Sequence, residues 1–267
     1  MDGRLLSALA DLVLPRTCAG CGLPGWILCR RCAALLARPL AATPRRFPWG
    51  FPPTAAAGAY SGPVRPVVNA FKEQGRTELA RPLGTALALA AAAVVCAAPA
   101  VRGPVLLVPV PSSRAALRTR GRDHVRELTA RAAAELRAAG VPAEEARLLR
   151  RQGRARDSAG LSAAARRANL AGTFLPAPER TPATASGTLL VLVDDVVTSG
   201  ATLTEAAAAL GAARPPDGPP VVAAVVAATP RRPQAPPSRG DLRVVRQRAQ
   251  NVLVVGPDRL SGRVNRD

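Results

Sequence analysis

The sequence predicts an α/β protein: a parallel β-sheet with helices on both faces, preceded by a small N-terminal module that contains four cysteines. Short, uninterrupted apolar runs at residues 105–110, 189–193 and 221–228 suit strands that are buried on both faces. Helical apolar stripes lie between these runs, at residues 123–139 and 203–210. Strands that alternate with helices indicate a parallel sheet, and such sheets bind ligands at the carboxyl ends of their strands.

The remaining elements follow from the same patterns. No charge occurs between Arg81 and Arg102, and a stretch of that length could cross a bilayer. It is mostly alanine, is interrupted by proline and carries apolar residues at helical spacing, so we expect a buried helix and no membrane span. Cys96 is expected to be a small core residue of that helix. A short strand is expected at residues 146–149 and a helix at residues 162–170.

These elements divide the chain into three parts. Residues 1–50 form the cysteine module and a proline-rich linker, and residues 55–230 form the sheet domain. Residues 231–267 form a tail rich in proline and arginine, in which residues 251–256 are expected to be a final strand of no assigned function.

The composition excludes some classes of protein without choosing a partner. With 267 residues, of which 48% are hydrophobic, the chain can form a core and is no disordered tail. Its net charge of +19 is the excess of 37 basic over 18 acidic residues, and Lys72 is the only lysine. This bias is typical of GC-rich codon usage, so the charge permits polyanionic ligands but does not select one. Asp11 interrupts the apolar start, which argues against a signal peptide and favours a cytoplasmic protein.

The four N-terminal cysteines have the spacing C-x2-C-x7-C-x2-C. Each C-x2-C turn can direct two thiolates at one point, and two such turns complete a tetrahedron around zinc. Because no coordination position stays open, we expect a structural zinc site rather than a catalytic one. Redox chemistry and chance spacing are the alternative interpretations. The four ligands would be Cys18, Cys21, Cys29 and Cys32.

Residues 189–202 are the most informative segment. A buried strand brings Asp194 and Asp195 to its carboxyl end, and a short loop with hydroxyl groups and a glycine then leads into a helix. Backbone N–H groups and hydroxyls at a helix N terminus form a phosphate site. The paired acids suit sugar hydroxyls and a hydrated Mg²⁺. One ligand meets all these conditions, namely a ribose 5-phosphate that carries a pyrophosphate.

This segment resembles the phosphoribosyl diphosphate (PRPP) motif of type I phosphoribosyltransferases. Over roughly residues 15–230 the chain resembles the ComF family of competence-associated proteins, which join such a domain to an N-terminal four-cysteine zinc module. Besides the cysteines and the PRPP motif, the resemblance includes the segments at residues 60–65, 71–76, 107–111, 159–162 and 169–174.

The resemblance implies roles for individual residues. Asp194 and Asp195 would bind the ribose hydroxyls, partly through Mg²⁺. The arginine-rich residues 150–161 would form a flexible loop that closes over PRPP, and the catalytic group is undetermined, with Lys72 and Arg114 as candidates. The 5-phosphate loop would consist of Thr198, Ser199, Gly200, Ala201 and Thr202, and the pyrophosphate loop of Pro111, Ser112, Ser113 and Arg114.

Two positions depart from the family pattern. Residues 120–124 read Arg-Gly-Arg-Asp-His where the family commonly has Arg-Gly-Phe-Asn-Gln, and Ser158 stands where a glutamine is common. We expect His124 to be a solvated surface residue at the start of its helix. For Lys72 two interpretations stay open: a compact ammonium group needed near phosphate, or an accident of composition.

The expected function is transfer of a phosphoribosyl group from PRPP, with Mg²⁺, to an unknown acceptor with release of pyrophosphate. The alternative is a non-catalytic, ComF-type protein of DNA uptake that binds nucleotide, single-stranded DNA or partner proteins. Zinc modules of this kind also occur in nucleic-acid binders, which keeps the alternative open.

Overall fold

The computed structural model describes residues 16–44, 49–98, 103–152, 172–177, 187–212 and 221–230. The helices are α1 Arg30–Ala34, α2 Val64–Lys72, α3 Ala80–Ala97, α4 Arg114–Arg120, α5 His124–Ala138 and α6 Ala201–Ala212, and a 3₁₀ turn spans Thr77–Leu79. The strands are β1 Leu40–Ala41, β2 Thr54–Ala59, β3 Val105–Pro109, β4 Ala143–Glu145, β5 Leu149–Arg151, β6 Phe174–Pro176, β7 Leu189–Val197 and β8 Val222–Ala228.

Six of these strands form one sheet in the order β1-β2-β8-β7-β3-β4. Every neighbouring pair is parallel except β1 and β2, which are antiparallel. Strands β5 and β6 form a separate antiparallel pair. The chain moves outward from β3 to β4 on one side and from β7 to β8 on the other, so the strand order reverses between β3 and β7. The predicted α/β fold with a mostly parallel sheet is confirmed.

Alternate residues of the central strands point to two different layers. Leu107, Val191 and Val193 pack against α2, α3 and α5. Val108 and Leu192 lie in the opposite core with α6 and the β5–β6 pair. The central strands are therefore buried on both faces, which explains why their sequences are continuously apolar.

Helix α3 contains most of the uncharged apolar stretch that follows Arg81. Together with the preceding turn it is long and apolar enough to cross a bilayer, but 56% of its most apolar window is buried inside the fold. Its buried side chains pack against α5 and the sheet, as in the core helix of a soluble protein. One expectation for this helix is wrong: Cys96 is exposed, because it lies on the solvent side of the last turn.

Three other expected elements have different outcomes. The strand expected at residues 146–149 is replaced by β4 and β5, because the chain leaves the large sheet after Glu145 and joins the small one at Leu149. Ala146 still bonds to the large sheet, donating its N–H to the Leu107 carbonyl at 2.9 Å. The helix expected at residues 162–170 and the strand at 251–256 lie outside the described residues.

The cysteine module packs directly on the sheet domain. A Cβ atom added to Gly20 would lie 3.0 Å from the Pro63 carbonyl oxygen and 3.1 Å from Val67, at the start of α2. One added to Gly58 of β2 would lie 2.3 Å from the carbonyl oxygen of Leu35, just after α1. β1, which lies within the segment predicted as a linker, also pairs with β2.

Helices α3 and α5 approach each other closely at Gly84, where an added Cβ would lie 2.4 Å from the Cβ of Arg131. We expect Gly84→Ala to destabilise the protein by about 1–2 kcal/mol, because overpacking outweighs the better helix propensity of alanine. Gly211→Ala is the matched control in α6, since nothing lies within 4 Å of its added Cβ. Thermal unfolding of both variants checks this; an equal or higher melting temperature for Gly84→Ala would contradict the close packing.

Candidate functional site

The candidate site lies where β3 and β7 part. The last paired residues of these strands are Pro109 and Val193, whereas β7 continues beside β8 to Val197. The part of β7 beyond Val193 has therefore lost its neighbour on the β3 side. Because the strand order reverses between β3 and β7, this opening is the place where α/β sheets bind ligands.

The two adjacent acids of β7 point to opposite faces of the sheet. Asp195 continues the row of Val193 toward α2 and α5, and it is 4% exposed. Asp194 continues the row of Leu192 toward the layer of α6 and the β5–β6 pair. Its charge acts there on Arg151 of β5. The sequence placed both acids at one site; the structure turns them toward different layers, although the charge of Lys72 acts on both.

The Asp195 carboxylate receives three hydrogen bonds. Its Oδ2 atom accepts from Lys72 Nζ at 2.8 Å and is 2.8 Å from His124 Nε2. Its Oδ1 atom accepts from the backbone N–H of Val196 at 2.7 Å. Lys72, one of the two candidate catalytic groups, is therefore at the site together with the acids.

The expectation for His124 is wrong, because this side chain is only 3% exposed. Asp123 caps α5, accepting the N–H of Arg126 at 3.3 Å, and so starts the helix with His124 turned toward β7. The ring lies edge-on to Phe71, with centroids 6.4 Å apart. Its Nδ1 atom is buried and has no hydrogen-bond partner among the described residues. One signal in the sequence could have identified His124 as a site residue: it directly follows the aspartate that caps the helix.

Residues 120–124, the segment that departs from the family pattern, contact the end of α2. Arg120 forms two hydrogen bonds to the Glu73 carboxylate, at 2.8 and 3.1 Å. Arg122 stacks over the ring of Phe71, 4.1 Å from its centroid, and also donates to the Phe71 carbonyl oxygen. Arginine at position 122 therefore joins the turn before α5 to the residues that flank Lys72.

The charges at the site shift one another's pKa values. Burial would raise the pKa of Asp195, but His124 and Lys72 outweigh it and hold that pKa below its usual range. Burial and the negative charge of Asp195 raise the pKa of Asp194. Burial would lower the pKa of Lys72, but the Asp195 carboxylate outweighs it and raises that pKa. Asp195 and Lys72 therefore form a stable ion pair, whereas the surroundings of Asp194 disfavour its ionised form.

The predicted phosphate loop lies between β7 and α6. Thr198 is exposed, and Gly200 has a φ of 77°, a backbone conformation that favours glycine. A Cβ added to Gly200 would lie 2.8 Å from the Phe51 ring, so the loop also needs glycine for packing. Ser199 Oγ lies 3.5 Å from the N–H of Ala201, the first residue of α6. Thr202 follows in the first turn of that helix.

The predicted pyrophosphate loop lies at the same edge of the sheet, after β3. Ser112 donates to Asp123 at 3.2 Å, which connects this loop to the start of α5. Ser113 caps α4, accepting the N–H of Ala116 at 3.1 Å. Pro111 is partly buried, and Arg114, the other candidate catalytic group, is exposed at the first position of α4.

The expected flexible loop at residues 150–161 is described only at its start. Arg150 and Arg151 belong to β5, and residues 153–171 lie outside the described ranges.

The four N-terminal cysteines form a candidate metal centre. Their sulfur atoms all lie within 4.8 Å of one another, and three of the four side chains are buried. Cys21 and Cys29 have their Sγ atoms 3.7 Å apart. Sulfurs at 2.3 Å from a tetrahedral zinc ion are separated by about 3.8 Å, so the donor set fits zinc. The chain therefore carries a four-cysteine site that could bind a structural metal such as zinc.

Backbone donors support anionic sulfur in this centre. Burial would raise the pKa of Cys18, but backbone N–H groups outweigh it and lower that pKa to about 6. The Cys29 N–H donates to Cys18 Sγ at 3.3 Å. Burial and the neighbouring cysteines raise the pKa of Cys32, because several thiols share one small volume.

No family model matches the chain, and no curated protein matches it.

Proposed function

We propose that the protein binds PRPP at the opening between β3 and β7 and transfers its phosphoribosyl group to an acceptor. The observation that carries the proposal is that Asp194 and the loops at residues 111–114 and 198–202 share the carboxyl edge of the sheet at its switch point. A carboxylate between two loops rich in hydroxyl and N–H donors suits a sugar with a phosphate at each end. The resemblance to the ComF family and type I phosphoribosyltransferases supports the same ligand.

Magnesium belongs to this proposal, and the donors near the opening fit it. Mg²⁺ is commonly held by one or two carboxylates together with ligand phosphates and water. Asp194 Oδ1 accepts the Asp195 N–H at 2.8 Å, and this carboxylate would be the protein ligand of the ion. When bound, the ion would neutralise charge on the pyrophosphate.

The reaction needs no covalent intermediate with the protein. A lone pair of the acceptor forms a bond to C1 of the ribose while the bond from C1 to pyrophosphate breaks. The electron pair leaves with pyrophosphate, and the acceptor proton passes to solvent. The protein's residues would hold both ends of PRPP in place and direct cations toward the departing group. A cytoplasmic location is part of the proposal, since thiolate metal ligands persist in a reducing compartment.

Calorimetry with PRPP and Mg²⁺ tests the binding step. We expect the wild type to bind and Asp194→Asn to lose at least tenfold in affinity, because the variant removes a carboxylate that faces the ligand. Glu144→Gln, in the edge strand β4, is the charge-matched control and should bind like the wild type. Pyrophosphate release in the presence of nucleobases, amines or ammonia then identifies the acceptor. Absence of PRPP binding by the wild type would refute the proposal.

A second candidate function, binding of single-stranded DNA in DNA uptake, is favoured by one observation on the cysteine module. Trp26 is 46% exposed, and Arg30 and Arg31 of the same module are also exposed. An aromatic platform with nearby cations is the usual arrangement for stacking unpaired bases. Salt-dependent DNA binding that Trp26→Ala abolishes would support this function, and unchanged binding by that variant would exclude this surface.

A further inference from the structure

The only lysine and the only histidine of the chain meet at one oxygen atom. All other basic residues that count toward the 37 are arginines. Lys72, at the end of α2, and His124, at the start of α5, are both 2.8 Å from Asp195 Oδ2. A composition that has replaced every other lysine by arginine retains one at this contact. The convergence favours the interpretation that Lys72 is required, rather than an accident of composition.

The carboxylates of the two acids in β7 differ in how many further hydrogen bonds they can accept. Asp195 has a side chain that is 5% exposed, and it already accepts from Lys72, His124 and the Val196 N–H. A buried carboxylate that is satisfied in this way has little capacity for a sugar hydroxyl or a metal ion. Asp194 is more exposed and accepts one hydrogen bond, from the backbone of Asp195.

The Lys72 ammonium group has hydrogen-bond donors that are not directed at Asp195. Its side chain is 28% exposed, and an ammonium group has three donors, of which one is directed at Asp195. The remaining donors can bind an anionic oxygen at the opening. An arginine at this position would be longer and would place a planar fork against a single carboxylate oxygen, so the compact ammonium is the better fit.

We propose that Lys72, Asp195 and His124 form a clamp in which Asp195 is a positioning residue that holds the Lys72 ammonium toward an anionic ligand, while Asp194 alone of the two acids contacts that ligand. The identity of the ligand as PRPP rests on the proposed function. The clamp itself does not, since its contacts exist without a ligand. It departs from the role implied by the family resemblance, in which both acids bind the ribose.

NMR can observe the clamp without any ligand, because lysine-labelled and histidine-labelled protein each give a single labelled side chain. We expect one Lys72 ammonium signal that is slow to exchange with solvent and is lost or shifted in Asp195→Asn. The same signal should persist in Asp194→Asn. A loss or shift of the signal in both variants, or an unchanged signal in both, would overturn the clamp.

A double-mutant cycle tests the separate roles of the acids, with PRPP and Mg²⁺ as the probe. If Asp195 acts through Lys72, then Asp195→Asn and Lys72→Gln each lower affinity about tenfold, and the double variant is no worse than either single one. Asp194→Asn should lower affinity by a further factor of ten in either background. Additive losses for Asp195 and Lys72 would show that Asp195 contacts the ligand itself and would overturn the proposal.

Two substitutions at His124 test whether its hydrogen bond to Asp195 contributes to the clamp. Gln can donate a hydrogen bond to Asp195, so His124→Gln should keep PRPP affinity within about threefold, whereas His124→Ala should lower it about tenfold at an unchanged fold. Equal affinity of both variants would overturn the role of His124 in the clamp. If the wild type binds no PRPP, the proposed function is refuted, and so is PRPP as the ligand of Lys72 and Asp194. The lysine NMR signal still tests whether the clamp exists.

Discussion

Asp195→Asn should lower the melting temperature by about 10 °C at pH 8, whereas Asp194→Asn should raise it. Removing the charge of Asp195 leaves the partly buried Lys72 and the buried His124 without their anionic partner, and breaking a buried pair in this way costs about 3–5 kcal/mol. For a domain of this size 1 kcal/mol corresponds to about 2–4 °C. Asp194→Asn instead removes an ionised group that burial and Asp195 both disfavour.

The two variants should also depend on pH in opposite ways. The pKa of Asp195 is lowered by folding, so its contribution is fully present above the ordinary aspartate pKa of about 4 and is lost only as the pH falls below it. The pKa of Asp194 is raised, so its unfavourable contribution grows as the pH rises above that ordinary value. The advantage of Asp194→Asn should therefore increase between pH 5 and pH 8, while the loss in Asp195→Asn stays nearly constant.

Thermal unfolding in magnesium-free buffer at pH 5, 6.5 and 8 measures both effects. Magnesium is left out because an ion bound to Asp194 would offset its repulsion from Asp195. Similar melting temperatures for the two variants would mean that the acids have equivalent surroundings, contrary to the contacts of Lys72 and His124.

Chelation of a metal held by the cysteine module should produce an effect of similar size. We expect one zinc ion per chain and a fall in melting temperature of about 10 °C or more on chelation, because the module packs on α2 and β2 through Gly20 and Gly58. Loss of the metal leaves several thiols in a small buried volume and loosens this contact. Metal analysis and thermal unfolding with and without a chelator provide the measurement.

A pair of cysteine variants controls for the loss of a thiol. Cys18→Ser removes a buried member of the cluster and should reproduce the effect of the chelator. Cys96→Ser changes an exposed cysteine of α3 and should leave both the zinc content and the melting temperature unchanged. A chain that retains its metal and its melting temperature after Cys18→Ser would exclude the four-cysteine site.

Local patterns were enough to predict much of the fold. The apolar runs identified β3 and β8 to within one residue at each end, because strands buried on both faces are continuously apolar. The run for β7 stopped four residues early, because Asp194 and Asp195 interrupt its apolar pattern inside the strand. The helix α5 was predicted from its stripe and its ending glycine. Where two short strands follow each other in different sheets, as β4 and β5 do, the pattern could not reveal the break, since hydropathy carries no information about which sheet a strand joins.

The sequence by itself determined the elements that depend on neighbouring residues: the strands, the loop after β7, the cysteine spacing and the presence of an acidic pair. Only the tertiary structure decided which partners those acids have. His124 is 71 positions from Asp195 along the chain and is nevertheless bonded to it, because α5 and β7 meet in the fold. Strand alternation directs Asp194 and Asp195 to opposite layers, and the packing of α2 and α5 on one layer gives Asp195 its lysine and its histidine. A contact of this kind depends on topology, which no local pattern contains.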